Sequence, residues 1–156
     1  MNTLAPLLTL DSVKIGCDAV SRKRLFEEAA LIFERTCGVA HQDSFDALFN
    51  REKIGSTCVG HGCAIPHGRI EGIEEPALAI VRTLEPIKLD APDNEPVSLF
   101  FCLLIPEKDT ENYLNVLREI ALCLKDDAFR ERLMRANSEV AICEIIHSWE
   151  NPSPQE

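Results

Sequence analysis

Apolar residues three and four positions apart alternate along this chain with shorter, unbroken apolar runs. Leu25, Phe26, Ala29, Ile32 and Phe33 share one helical face. Ser21 can cap that helix and Gly38 can end it just after Cys37, as hydroxyls do at helix starts and glycine at left-handed ends. A second helix is read from Asp43, carrying Phe45, Leu48 and Phe49 until Ile54-Gly55 breaks it. Two strands follow, Ala77–Leu84 and Val97–Ile105. The latter, VSLFFCLLI, shows no alternation, so both of its faces should be buried, as in a central strand between helices. Prolines 86, 92 and 96 with Asp93-Asn94 fit turns in the link between them. Past Pro106 a helix is expected from about Asp109, with Leu114, Leu117, Ile120, Ala121 and Leu124 inward. Asp126 or Asp127 can cap another, and Ser138 starts the last, with Val140, Cys143 and Ile146 inward. Helices before, between and after strands predict α/β layers in a single domain. The domain is read over residues 1–150, followed by a polar tail at 151–156.

Between the second helix and the first strand lies GSTCVGHGCAIPHG, residues 55–68, with four glycines and a proline. That is too many for an element interior, so a structured loop is expected, with one short strand around Cys63-Ala64-Ile65. Loops on a rigid scaffold are where reactive side chains are usually placed. Of the four histidines, His41 and His147 fall on or beside ordinary helices, whereas His61 and His67 lie inside this loop.

Pro66 fixes its own φ and biases Ile65 toward extended backbone, so His67 is presented by stiff chain. Gly68 lets a phosphate-sized group approach main-chain donors, and Arg69 adds a cation. A neutral imidazole can attack phosphorus with one nitrogen while the other donates to a carbonyl. Phosphoryl transfer needs mainly positioning and charge stabilisation. No GxxxxGK[ST] occurs, so any phosphoryl donor is expected to be another protein. From spacing alone the same residues also read as a tight turn around a hydrogen-bonded histidine.

The segment GCAIPHGR closely resembles the GIAIPHG-type signature of enzyme IIA domains of the phosphoenolpyruvate-dependent phosphotransferase system, fructose/mannitol class. The likeness extends to Arg51-Glu52-Lys53-Ile54-Gly55-Ser56-Thr57, to Pro86-Ile87, to Asp93–Val97 and to Leu103–Pro106, and it spans roughly Leu10 to Ile146. The standalone nitrogen-regulatory IIA proteins are the most similar branch. The resemblance implies a mixed sheet of about five strands flanked by helices on both faces. It also implies a phosphotransferase component whose His67 takes a phosphoryl group from an HPr-like carrier, typically on Nε2, and signals to regulated target proteins. No small-molecule turnover of its own and no cofactor are expected. Arg51 inherits a charge-stabilising role, Ser56 and Thr57 a supporting one. Where relatives often place a second histidine, early in the helix after the central strand, this chain has Tyr113 and Asn115. A sugar-specific IIA serving a separate permease is the alternative within the family.

His61 and Cys63 depart from the family pattern. Together with Cys58 and His67 they spell C-x2-H-x-C-x3-H, residue types that suit zinc, so a metal-binding regulatory module is a rival of another class. A purely non-covalent interaction domain is a third reading.

Charge and composition narrow the partners. A formal charge of -10 offers no basic stripe for nucleic acid and disfavours anionic membranes. No run approaches the ~18 apolar residues of a membrane helix, and the first residues lack the basic start of a secretory signal. Seven scattered cysteines without a CxxC pair read as free thiols in a reducing cytoplasm.

Overall fold

The computed structural model describes residues 2–109 and 111–152; the end of the expected tail, 153–156, lies outside the described residues. Among the described residues six strands form one mixed sheet and five α-helices cover it. In chain order these are β1 (Val13–Cys17), α1 (Arg22–Cys37), α2 (His41–Ile54), β2 (Cys58–Gly60), β3 (Cys63–Ala64), β4 (His67–Ile70), β5 (Ala77–Ile87), β6 (Val97–Pro106), α3 (Asn112–Lys125), α4 (Asp127–Arg135) and α5 (Glu139–Ser148). The sheet order is β1-β5-β6-β3-β2, with β4 also paired to β6.

β6 is the axis of the molecule. It pairs antiparallel with β5 and parallel with both β3 and β4. Its side chains alternate between two cores, as the period of a strand requires. Leu99, Phe101, Leu103 and Ile105 pack with Ile120, Leu124, Leu133, Ile142 and Ile146 from α3, α4 and α5. Phe100, Cys102 and Leu104 pack with Leu25, Phe26, Phe33 and Leu48 from α1 and α2. The unbroken apolar run of the sequence is therefore a strand buried on both faces.

Helix ends follow their chemistry. Ser21 Oγ accepts from the Arg24 amide, Ser138 Oγ from Ala141, and Asp126 Oδ1 from Phe129. Gly38 closes α1 at φ 73°, a left-handed turn that a side chain would strain.

Four expectations shift. The loop at 55–68 holds two short strands and the start of a third rather than one, because pairing of β3 and β4 with β6, and of β2 with β3, overrides the helix- and strand-breaking glycines. β1 was hidden in the lead-in; V-K-I-G-C is too short and mixed to signal a strand, and its parallel pairing with β5 makes it one. The second helix begins at His41, not Asp43, and the helix after β6 at Asn112, where Asp109 Oδ1 accepts from the Glu111 and Asn112 amides. Two helices keep their expected inward residues Ile120, Leu124 and Ile146 but differ at the edges of the face. α3 buries Val116, Ile120, Cys123 and Leu124 while Leu114 is exposed, and α5 buries Ile142, Ile145 and Ile146 while Val140 is exposed. The edges of a mixed apolar stripe are settled by what packs against it.

Candidate functional site

The β3–β4 edge carries the site. His67, Gly68, Arg69 and Ile70 align with Leu103, Leu104, Ile105 and Pro106. His67 and Arg69 therefore stand on the α3 face of the sheet, and Gly68 on the α2 face.

His67 is half-buried, and its Nδ1 lies 2.8 Å from the Ile65 carbonyl oxygen. A carbonyl only accepts, so Nδ1 carries the proton and Nε2 keeps its lone pair. Among the described residues no hydrogen bond engages Nε2. Burial pulls the His67 pKa below the ordinary histidine value. The Ile65 bond opposes that, the Arg51 charge adds to it, and the Glu52 charge opposes it. At neutral pH the ring is uncharged, with its proton on Nδ1.

Arg51 ends α2 half-buried, its Nη1 donating to the Gly55 carbonyl at 2.8 Å. Its charge adds to the lowering that burial imposes on the His67 pKa. Thr57 is buried; Ser56 is exposed and donates from Oγ to the Asp90 carbonyl at 2.6 Å, tying the loop to the β5–β6 link.

Two expected roles fall elsewhere in this geometry. A Cβ on Gly68 would sit 2.5 Å from the Ala47 carbonyl oxygen, so the glycine admits the backbone of α2 rather than a phosphate. The Arg69 guanidinium is engaged by Asp109 O at 2.6 Å and by Pro106 O and Glu107 O at 3.4 Å, and it lies 4.6 Å over the Tyr113 ring. It ties the start of α3 to the sheet edge instead of standing free beside His67, and Tyr113 is its stacking partner. Asn115 is exposed on α3.

The four-ligand zinc reading loses its geometry. Cys63 aligns with Leu99 and packs toward α3–α5, whereas Cys58 packs in the opposite core against α1 and α2. His61 sits at φ 57° on the tip of the β2–β3 hairpin, its amide donating to Asp93 Oδ2 at 2.8 Å. The neighbouring Gly62 carbonyl accepts from the Ser98 and Leu99 amides. His61 is thus five residues of β6 from the Leu103 level of His67, about 17 Å at a strand's rise. Among the described residues, the one group of metal-ligating atoms mutually within 4.8 Å is Cys17, Asp18 and Glu28, elsewhere in the molecule. His41 pairs with Glu34 at 3.4 Å and His147 is exposed on α5.

Sequence reasoning quoted Glu52 but gave it no role. The buried positions of α2 are Ser44, Leu48 and Glu52, spaced by four. A carboxylate continuing a buried stripe was the available signal. Its Oε1 accepts from Thr57 Oγ1 at 2.6 Å and its Oε2 from the Thr57 amide at 3.1 Å.

Residues 6–149 match the family described as "Phosphoenolpyruvate-dependent sugar phosphotransferase system, EIIA 2". The chain belongs to this family. The nitrogen regulatory protein of Pseudomonas aeruginosa is 37% identical over 97% of this chain and 99% of its own length. The nitrogen regulatory protein of Escherichia coli is 35% identical over 94% and 91%. The crystal structure of nitrogen regulatory protein IIA-Ntr from Neisseria meningitidis superposes with a TM-score of 0.86 at 43% identity, covering 92% of this chain and 98% of that one. IIA mannitol from Escherichia coli shares the EIIA fold at a TM-score of 0.75 and 18% identity, over 89% and 98% of the two chains. No helix among the described residues is long and apolar enough to cross a membrane.

Proposed function

We propose that this EIIA protein is a phosphocarrier and regulator of the nitrogen type, which accepts a phosphoryl group on Nε2 of His67 from an HPr-like protein and signals its phosphorylation state to target proteins. The observation that carries the reading is the 2.8 Å bond between Nδ1 and the Ile65 carbonyl, in a setting that keeps the ring uncharged. It leaves one lone pair, on the one nitrogen able to form a bond to phosphorus.

In the transfer, the Nε2–P bond forms as the donor's bond to phosphorus breaks, while Nδ1 keeps its proton. The ring gains positive character as it attacks, and the Ile65 carbonyl is placed to stabilise it. In this reading Arg51 offsets the incoming phosphoryl charge, and Ser56 and Thr57 shape the loop that holds both groups. Family membership, with nitrogen regulatory proteins as relatives along nearly the whole chain, supports the regulatory branch over a sugar-specific one. A cytoplasmic setting fits such a relay.

The test is incubation with phosphoenolpyruvate, enzyme I and the HPr-type carrier of the same cell, read by intact mass. One acid-labile, alkali-stable phosphoryl group is expected, and His67→Ala should abolish it. Phosphate persisting in that variant would move the acceptor elsewhere.

A further inference from the structure

Glu52 is the one charged side chain of α2 that the fold buries, at 7% exposure. A leucine there would continue the buried stripe at no desolvation cost, and burying a carboxylate is costly unless its oxygens are bonded. A negative charge near His67 also opposes the arrival of a phosphoryl group, so its presence calls for a geometric benefit.

The bonds around it supply one. Both donor groups of Thr57 are held by Glu52, at 3.1 Å from the amide and 2.6 Å from the hydroxyl. The Thr57 carbonyl accepts from the Ile65 amide at 2.9 Å. The Ile65 carbonyl accepts from His67 Nδ1 at 2.8 Å. Each acceptor in this series sits on a residue that the previous bond has placed. Thr57 and Ile65 flank β2 and β3, strands too short to hold a register unaided, and Pro66 leaves the turn before His67 without an amide donor.

We infer that Glu52 is a positioning residue for His67: by clamping Thr57 it holds the Thr57–Ile65 pairing, and through it the carbonyl that keeps Nδ1 protonated and Nε2 free. The inference rests on His67 being the phosphoryl acceptor. The charges acting on the imidazole, Arg51 and Glu52, both come from α2, and Glu52 works against the Arg51 charge there. The thiols of Cys58 and Cys102 also feel the Glu52 charge, which adds to the rise that burial imposes on each.

The experiment compares wild type, Glu52→Gln, Glu52→Ala and Thr57→Val, each in two readouts. The first is the protonation of the two ring nitrogens of His67, followed by nitrogen-15 NMR in the unphosphorylated protein. The second is steady-state phosphorylation by the HPr-type carrier. Wild type should show Nδ1–H. Glu52→Gln can still accept the Thr57 amide and bond its hydroxyl, so it should keep that tautomer and a rate within a few-fold of wild type, with a lower His67 pKa. Glu52→Ala should show mixed tautomers, and its maximal rate should fall about 10–100-fold with the KM for the carrier unchanged, the signature of misplacement rather than lost binding. Thr57→Val should change both readouts in the same direction by less. A wild-type tautomer and rate in Glu52→Ala would overturn the inference; if that variant does not fold, the same result in Thr57→Val would. Absence of phosphate on His67 in wild type would instead sink the acceptor assignment, while the ring tautomers would still report on Glu52.

Discussion

His67 combines a lowered proton affinity with a fixed tautomer, and both have consequences in solution. Burial is the leading cause of the shift, followed by the opposing Ile65 bond and the Arg51 charge. Between its folded pKa and about 6.5, the ordinary histidine value, the unfolded chain binds a proton at this residue that the folded chain does not. Stability should therefore rise with pH through that window, and the loss should be complete below the folded pKa. Urea denaturation at several pH values should show the slope in wild type and a smaller one in His67→Gln. An NMR titration should place the His67 midpoint below 6.5. Pro-His-Gly and the loop around it were legible at this scale, because stiff backbone and a nucleophile type are local features. The bond to Ile65 was not, since nothing in a string of residues says which carbonyl a ring will face.

The meeting of α2 with β4 sets the site at the scale of elements. Gly68 stands where the missing Cβ would lie 2.5 Å from the Ala47 carbonyl oxygen and 2.7 Å from its carbon. Those are main-chain atoms, so relief requires moving α2, which carries Arg51 and Glu52. Gly68→Ala should cost about 1–3 kcal/mol, the usual range for overpacking, read as a lower urea midpoint. Gly55→Ala is the comparison: its φ of 172° is ordinary extended backbone, nothing lies within 4 Å, and its stability should stay within about 0.5 kcal/mol of wild type. Helix caps at Ser21, Asp126 and Ser138 were readable because a cap is a contact between near neighbours in sequence. On α3 and α5 the faces were readable at Ile120, Leu124 and Ile146 but not at Leu114 and Val140, which the packed sheet leaves exposed.

Over the whole molecule, the first residues and the last helix close on one another. Asn2 Nδ2 donates to the carbonyls of Ile146 at 2.9 Å and Trp149 at 2.8 Å, while its Oδ1 accepts from the Leu4 and Ala5 amides. The Thr3 amide and hydroxyl donate to the buried Glu119 on α3. Leu4 is fully buried in the core between the sheet and α3–α5. A segment with no strand or long helix of its own thus seals one layer. Leu4→Ala should destabilise by about 2–5 kcal/mol, the range for emptying a buried leucine site, measured by thermal or urea unfolding. Little change would mean that this segment is held by its hydrogen bonds alone.

What the sequence determined by itself was the layered α/β class, the doubly buried strand β6, the helix caps, and the glycine-rich loop with His67 as its candidate nucleophile. These depend on periodicity and on contacts a few residues apart. Tertiary structure alone decided that β1 is a strand, that Cys58 and Cys63 face opposite cores, that Arg69 ties down the start of α3, and that Glu52 lies beneath Thr57. For the first three, a sheet turns alternate residues to opposite faces, and what waits on each face comes from segments distant in sequence. Glu52 meets a residue only five positions on, and there the turn out of α2 decides the contact.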